Sequence, residues 1–355
     1  MAPRRDIAGN QAAKTAGLHY VVEGEPGLSR IRRGKTFAYR DANGHTVRDP
    51  RSLDRIRSLV IPPAWNDVWI AARADAHLQA TGRDARGRKQ HRYHPEWTGS
   101  RRDAKFGQMI DFAHALPAIR KRVRADLGKA PLSREHVLAT VVMLLERTLI
   151  RIGNKEYARA NKSFGLTTLL DEHVRVRGNS VRFQFRAKSG VMQTIELNDA
   201  TLARIVERCR KLPGKALFQC LDEDGEPQCI DSVAVNAYLR EITGHAFTAK
   251  SFRTWAGTVL AASAVCDLPE CTSATAFKRN VVRAIDSVAA RLGNTRAVCR
   301  GSYIHPGVLE GYRENVTIAG AKQGPRRAGL SVEEAAVLAL LKRRARHQRH
   351  EKVAA

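Results

Sequence analysis

The sequence predicts an α+β protein, with a small strand-rich N-terminal domain followed by a larger, mostly α-helical domain that carries one short antiparallel sheet. Three observations predict it. Short alternating runs punctuated by Gly, Pro and Asn-Gly fill the chain to about residue 98. From about residue 100 apolar residues recur at helical spacing. Alternation then returns once, between His173 and Leu197, inside the helical part.

Residues 1–18 are polar, alanine-rich and basic and are expected to form a flexible arm, with order beginning near His19. From there to about Arg48 the runs HYVVE and RIRRGKTFAYRD alternate, broken by Gly24, Pro26 and Gly27, and Asp41-Ala42-Asn43-Gly44-His45 supplies a hairpin turn. RSLDRIRSLV (51–60) has a short helical period ended by Pro62 and Pro63, and WNDVWIAAR (65–73) alternates again. In HLQATGRDARGRKQHRYHPEW (77–97), strand-like flanks enclose Gly82, Asp84 and Gly87 among Arg83, Arg86, Arg88, Lys89 and Arg92. A two-stranded ribbon of this kind fits a DNA major groove, where Gln90, His91 and Tyr93 could reach base edges or phosphates.

The strand-rich domain is expected to span 19–98 and the helical domain 99–318, with 319–355 a basic C-terminal helix or tail. KFGQMIDFAHALPAIRKRVRADLG (105–128) has helical spacing that Pro117 should kink or split. SREHVLATVVMLLERTLIRIG (133–153) begins at a Ser133 cap, carries Val137, Val141, Leu144, Leu145 and Leu149 on one face, and is expected to stop at Gly153. That reading puts Arg151 at a helix C-terminus, where a cation suits the dipole. KEYARANKSFGLTTLL (155–170) adds Lys155, Tyr157 and Lys162. HVRVRGNSVRFQFRAKSGVMQTIEL (173–197) reads as two or three strands, with a turn at Gly178-Asn179 and Lys188 in the next one. Helices follow at 201–212, 231–244, 250–265, around 272–292 and 331–350; Ser331 with Glu334 forms a capping box, and Lys342, Arg343, Arg344, Arg346 and Arg349 give a solvated or phosphate-contacting face.

Charge narrows the partner. There are 61 Lys+Arg against 35 Asp+Glu, a formal net charge of +26, and the cations are spread along the chain, which points to nucleic acid. No 18-residue apolar run, signal peptide or lipidation motif is visible, so no membrane partner and a cytoplasmic location are expected. Cys209, Cys220, Cys229, Cys266, Cys271 and Cys299 form no CxxC pair and have no His at zinc-ligand spacing, so no metal site is expected. There is neither a GxxxxGK[ST] loop nor an acidic cluster suited to Mg²⁺.

In RLGNTRAVCRGSYIHPG (291–307), Tyr303 follows Arg291, Arg296 and Arg300 and lies on no apolar stripe. A phenol titrates near ~10 and becomes a nucleophile only where positive charge favours the phenolate, so cations around a tyrosine suggest attack on an anionic electrophile. In chain order Arg151 in LIRIGN, Lys188 in FRAKSG, Arg253 in KSFRTWAG, Asn294 in LGNT and Tyr303 in GSYIHP supply the groups that phosphodiester transesterification needs.

These motifs, with IPPAWNDVWI, GRDARGRKQHRYHPEW and RIGNKEYARANKSFGLTTL, resemble the type IB DNA topoisomerases of the poxvirus and bacterial kind from about Pro62 to Pro306. The resemblance implies a monomer that clamps duplex DNA, nicks one strand through a 3′-phosphotyrosyl link to Tyr303, allows rotation and reseals, with no ATP, metal or other cofactor. It implies that Arg151 and Arg253 hold the non-bridging oxygens, that Lys188 protonates the 5′-oxygen, that Lys250 assists, and that Gln90, Tyr93 and Tyr157 contact DNA; His91, Arg88, Lys89 and Lys155 are further candidates. Two departures stand out. Asn294 occupies the place, nine residues before the nucleophile, where poxvirus members have histidine, and His91 stands for a poxvirus tyrosine, so weak sequence preference is expected. A tyrosine recombinase shares the chemistry, but usually shows H-x-x-R where this chain has Lys250-Ser251-Phe252-Arg253, and starts with helices. A non-catalytic DNA-binding protein would explain the charge but not the ordered set.

Overall fold

The computed structural model describes residues 6–269, 273–319 and 328–354, with side chains as far as 347. Cys271, the first five residues of the expected arm and the Arg349 side chain lie outside the described residues. Two compact units divide between Phe106 and Gly107.

The first unit contains α1 (Ile7–Thr15), β1 (Gly27–Arg33), β2 (Thr36–Arg40), α2 (Pro50–Ser58), β3 (Asn66–Ala71), β4 (Leu78–Arg83), β5 (Lys89–Tyr93) and the start of α3 (Pro95–Asp126). Its strands form one antiparallel sheet in the order β2-β1-β3-β4-β5. α2 starts because Asp49 accepts the Ser52 N–H at 2.8 Å and Pro50 fits the first helical turn. It buries Ile56 against Val68, Ile70 and Ala80.

One expectation fails here for a local reason. The arm is helical from Ile7, because the Asp6 carboxylate accepts the Gly9 N–H at 2.9 Å and Ala13 is buried completely. The β1–β2 hairpin turns at Gly34-Lys35, and a second reversal lies at Asp41–His45, where the sequence places one, with Arg40 and Thr46 bridged antiparallel across it. Arg33 pairs with Thr36, leaving two loop residues, and Gly34 supplies φ +60°. Asp41 organises that second turn by accepting the Asn43 and His45 N–H groups.

The second unit holds most of α3, then α4 (Arg134–Thr148), α5 (Lys155–Asn161), β6 (Val174–Arg177), β7 (Ser180–Arg186), β8 (Met192–Asn198), α6 (Ala200–Arg210), the short hairpin β9 (Gln219–Leu221) and β10 (Pro227–Cys229), α7 (Ser232–Thr243), α8 (Ala249–Cys266), α9 (Ala274–Leu292), α10 (Arg296–Ser302), α11 (Pro306–Arg313) and α12 (Val332–Ala354). α3 passes through Pro117 unbroken, although proline there removes one helical hydrogen bond. The Pro117 ring is packed against: a Cβ on Gly329, φ +82°, would lie 2.7 Å from it, so glycine lets that loop rest on it. Phe112, Leu116, Ile119, Val141, Leu144 and Leu145 of α3 and α4 are buried with Phe252 and Trp255 of α8. Arg120 closes this layer by pairing with Glu146 and Glu334, and Glu334 also accepts the Trp255 indole N–H at 3.1 Å.

The three-stranded sheet has the order β6-β7-β8, with Val181, Phe183 and Phe185 buried on one face of β7. The Ser331–Glu334 capping box is present, as is the Ser133 cap. Arg344, expected on a solvated or phosphate-contacting face, instead pairs with Glu310 and Glu314 of α11.

Candidate active site

The second unit brings four of the five sequence-predicted groups together. α4 ends at Thr148, five residues earlier than expected, because Leu149 adopts the left-handed conformation at φ 57°. Arg151 is therefore not a helix-terminal cation. It lies in the irregular segment between α4 and α5, which is held by the Leu166 N–H to the Arg151 carbonyl at 2.9 Å. Gly165 makes that crossing possible, since a Cβ there would sit 2.4 Å from the same carbonyl.

Arg253 enters from the second turn of α8 and is 3% exposed. One terminal nitrogen donates to the Leu149 carbonyl and the other to the Leu292 carbonyl at 2.7 Å, tying the end of α4 to the end of α9. Its guanidinium carbon lies 5.2 Å from the centre of the Tyr303 ring. Burial holds the guanidinium below its usual pKa, and Arg151 pushes the same way while the Tyr303 phenol opposes it. Burial likewise lowers Arg151, with Tyr303 and Cys299 opposing.

α9 stops at Gly293, φ 59°, so the chain turns and presents Asn294. Arg151 donates to the Gly293 carbonyl at 3.0 Å and to the Asn294 Oδ1. Arginine has only donors, so it fixes the amide's orientation and turns Nδ2 away. Two buried donors of the site, Asn294 Nδ2 and Arg253 Nε, have no acceptor among the described residues. Tyr303 follows as the cap residue of α10, its N–H bonded to the Cys299 carbonyl at 2.9 Å. Cys299 is fully buried, and burial raises its thiol pKa, with Arg253 and the Asn294 amide opposing.

Lys188 stands apart. It is exposed in the turn between β7 and β8, where Ser189 takes φ 66°, and it forms no hydrogen bond or ion pair among the described residues. The same hairpin reaches the site through Gln193 of β8, whose amide occupies the space where a Gly293 side chain would project. Lys250 is exposed at the start of α8, and Lys155 and Tyr157 are exposed on α5.

In the first unit the ribbon tip is built on Asp84. Its carboxylate accepts the Arg86 and Arg88 N–H groups, the Arg88 guanidinium at 2.8 Å and the Gln90 amide at 3.0 Å, and these bonds, the Arg88 side chain foremost, hold its pKa below the usual carboxylate range. His91 and Tyr93 stack on one face of β5, with ring centres 5.8 Å apart. Strand alternation puts Gln90 on the opposite face, so the three candidates do not present together. Lys89 pairs with Glu23.

Sequence reasoning missed the carbonyls of Leu149, Leu292 and Gly293 as the acceptors that orient the two arginines. Nothing in the sequence signals them, because every residue carries that group. Among the described residues no cluster of three or more His, Cys, Asp or Glu could hold a metal ion, and no helix is long and apolar enough to cross a membrane.

Comparison with known proteins fits this architecture. Residues 94–324 match the family profile described as eukaryotic DNA topoisomerase I, catalytic core, and residues 36–84 match that of the bacterial DNA topoisomerase IB N-terminal domain. The chain belongs to the type IB DNA topoisomerases. DNA topoisomerase 1B of Acanthamoeba polyphaga mimivirus is 30% identical over 298 residues, covering 81% of this chain and 88% of the relative. DNA topoisomerase 1B of Vaccinia virus (strain Copenhagen) and DNA topoisomerase I of Monkeypox virus are each 21% identical over 289 residues, covering 78% of this chain and 87% of the relative.

Proposed function

We propose that this chain, as a monomer, relaxes supercoiled duplex DNA by transient cleavage of one strand, using Tyr303 as nucleophile and neither nucleotide nor metal. The observation that carries this reading is the convergence of Arg151, Arg253 and Asn294 on Tyr303, with two buried donors that lack acceptors among the described residues. Buried unpaired donors are costly, and phosphoryl oxygens are the acceptors that would satisfy them.

The Tyr303 hydroxyl oxygen bonds to phosphorus as the bond from phosphorus to the 5′-oxygen breaks. The phenolic proton passes to solvent, and the departing oxygen takes a proton from Lys188. Arg151, Arg253 and the Asn294 amide stabilise the charge that gathers on the non-bridging oxygens, the arginines held by backbone carbonyls and the amide by Arg151. One phosphodiester is exchanged for another, so resealing is the reverse step and needs no external energy. Lys188 must reach the site from its exposed turn, by movement of the β7–β8 hairpin or of its own long side chain.

Incubation with supercoiled plasmid in EDTA without ATP, followed by denaturation to trap covalent adducts, tests the reading. Relaxation and a protein–DNA adduct are expected from the parent. Tyr303→Phe should bind duplex but neither nick nor relax it; an adduct formed by that variant would show that another residue attacks.

A further inference from the structure

We infer that Gly257 and Thr258 of α8 are positioning residues that set the distance between the nucleophile and its phosphate ligand; this rests on Tyr303 being the nucleophile. The segment Tyr303-Ile304-His305 joins α10 to α11 and lies directly on α8. At Gly257 a Cβ would come within 2.6 Å of the Tyr303 carbonyl oxygen and 3.2 Å of its Cβ. The space a side chain would need is thus taken by the backbone of the tyrosine. Next to it Thr258 is completely buried. Its hydroxyl donates to the Thr254 carbonyl at 2.8 Å, lies 3.4 Å from the Tyr303 carbonyl and accepts the His305 backbone N–H at 3.1 Å. Ile304 is 1% exposed, so the junction is anchored by an apolar side chain between two polar contacts.

Arg253 lies one turn earlier on the same helix. Its guanidinium carbon lies 5.2 Å from the centre of the Tyr303 ring. One rigid element therefore carries both the cation and the notch that holds the backbone of Tyr303. Shifting a reacting atom by about 1 Å can cost roughly 10²-fold in rate, so the contact acts on chemistry through geometry.

Thr258→Val keeps the shape but leaves the His305 N–H without its acceptor. Single-turnover cleavage and religation should both slow by roughly 10- to 100-fold and by the same factor, leaving the covalent fraction at equilibrium unchanged and DNA affinity within about twofold. A 5′-bridging sulfur should not rescue it, because the leaving group is not the defect. Thr258→Ser should restore most of the rate. Should the valine variant fail to fold, Gly257→Ala, which pushes on the tyrosine backbone directly, is expected to give the same pattern. A parental rate in Thr258→Val, a serine variant as slow as the valine one, or cleavage slowed without religation would overturn the inference. If the parent forms no adduct, or Tyr303→Phe forms one, the nucleophile assignment fails instead.

Discussion

The carboxamide of Asn294 has a fixed polarity because its oxygen faces Arg151, a group that can only donate. Its nitrogen is therefore available as a neutral donor, without the charge an imidazolium would bring. Asn294→Ala should slow single-turnover cleavage by roughly 10²–10³-fold while moving DNA affinity less than about threefold, because under the proposed mechanism the donor is used in the transition state. A rate equal to the parent's would remove Asn294 from the chemistry. Lys188 is separable by leaving-group chemistry. Lys188→Ala should cleave ordinary DNA slowly but recover on a 5′-bridging sulfur substrate, since a thiolate leaves unprotonated. Arg253→Ala should gain little from sulfur. Equal rescue of both variants would reduce Lys188 to a phosphate contact.

Caps and turns were legible wherever their chemistry is local: Ser133, the Ser331–Glu334 box and Gly178-Asn179 all act within a few residues. The end of α4 was not, because Leu149 is held in a left-handed conformation while Arg253, far along the chain, bonds its carbonyl. For the same reason the sequence reads Arg151 as a helix-terminal cation, whereas it lies in the irregular segment after α4. α11 begins on a titratable cap: the His305 Nδ1 accepts the Gly307 N–H at 3.0 Å, and burial with the nearby Arg344 cation pushes its pKa down to about 4. An unfolded histidine titrates near ~6.5, so the unfolded chain gains the proton first as pH falls. The stability this neutral imidazole contributes is complete above about pH 6.5 and is lost progressively down to about 4, roughly 3 kcal/mol in all. His305→Asn keeps an acceptor but not the titration, and its urea-unfolding stability should fall less between pH 7 and 4; parallel curves would exclude His305 from acid destabilisation. Arg120→Met should cost about 2–4 kcal/mol, because Glu146 and Glu334 would stay partly buried without their cation.

The division of labour along the chain was visible from periodicity alone, a sheet-based unit preceding a helical one, because the two patterns need different spacings. The grouping of Arg151, Arg253, Asn294 and Tyr303 came from the order of motifs; what orients the arginines is backbone and left no trace in residue type. A net charge of +26 predicts that binding to DNA weakens steeply with salt, with log K falling linearly in log salt at about 0.9 per phosphate neutralised. A nearly flat dependence, measured by equilibrium binding to an uncleavable duplex, would mean that these cations face elsewhere.

Arg253 closes the fold as well as facing the tyrosine, since its two terminal nitrogens are engaged by the carbonyls at the ends of α4 and α9. Under the proposed mechanism, anyone converting this protein into a silent reagent that marks DNA without cutting it should therefore leave position 253 alone. Removing that cation would unfasten two helix ends along with the chemistry, whereas deleting the single oxygen of Tyr303 leaves the ring against the guanidinium and the scaffold intact.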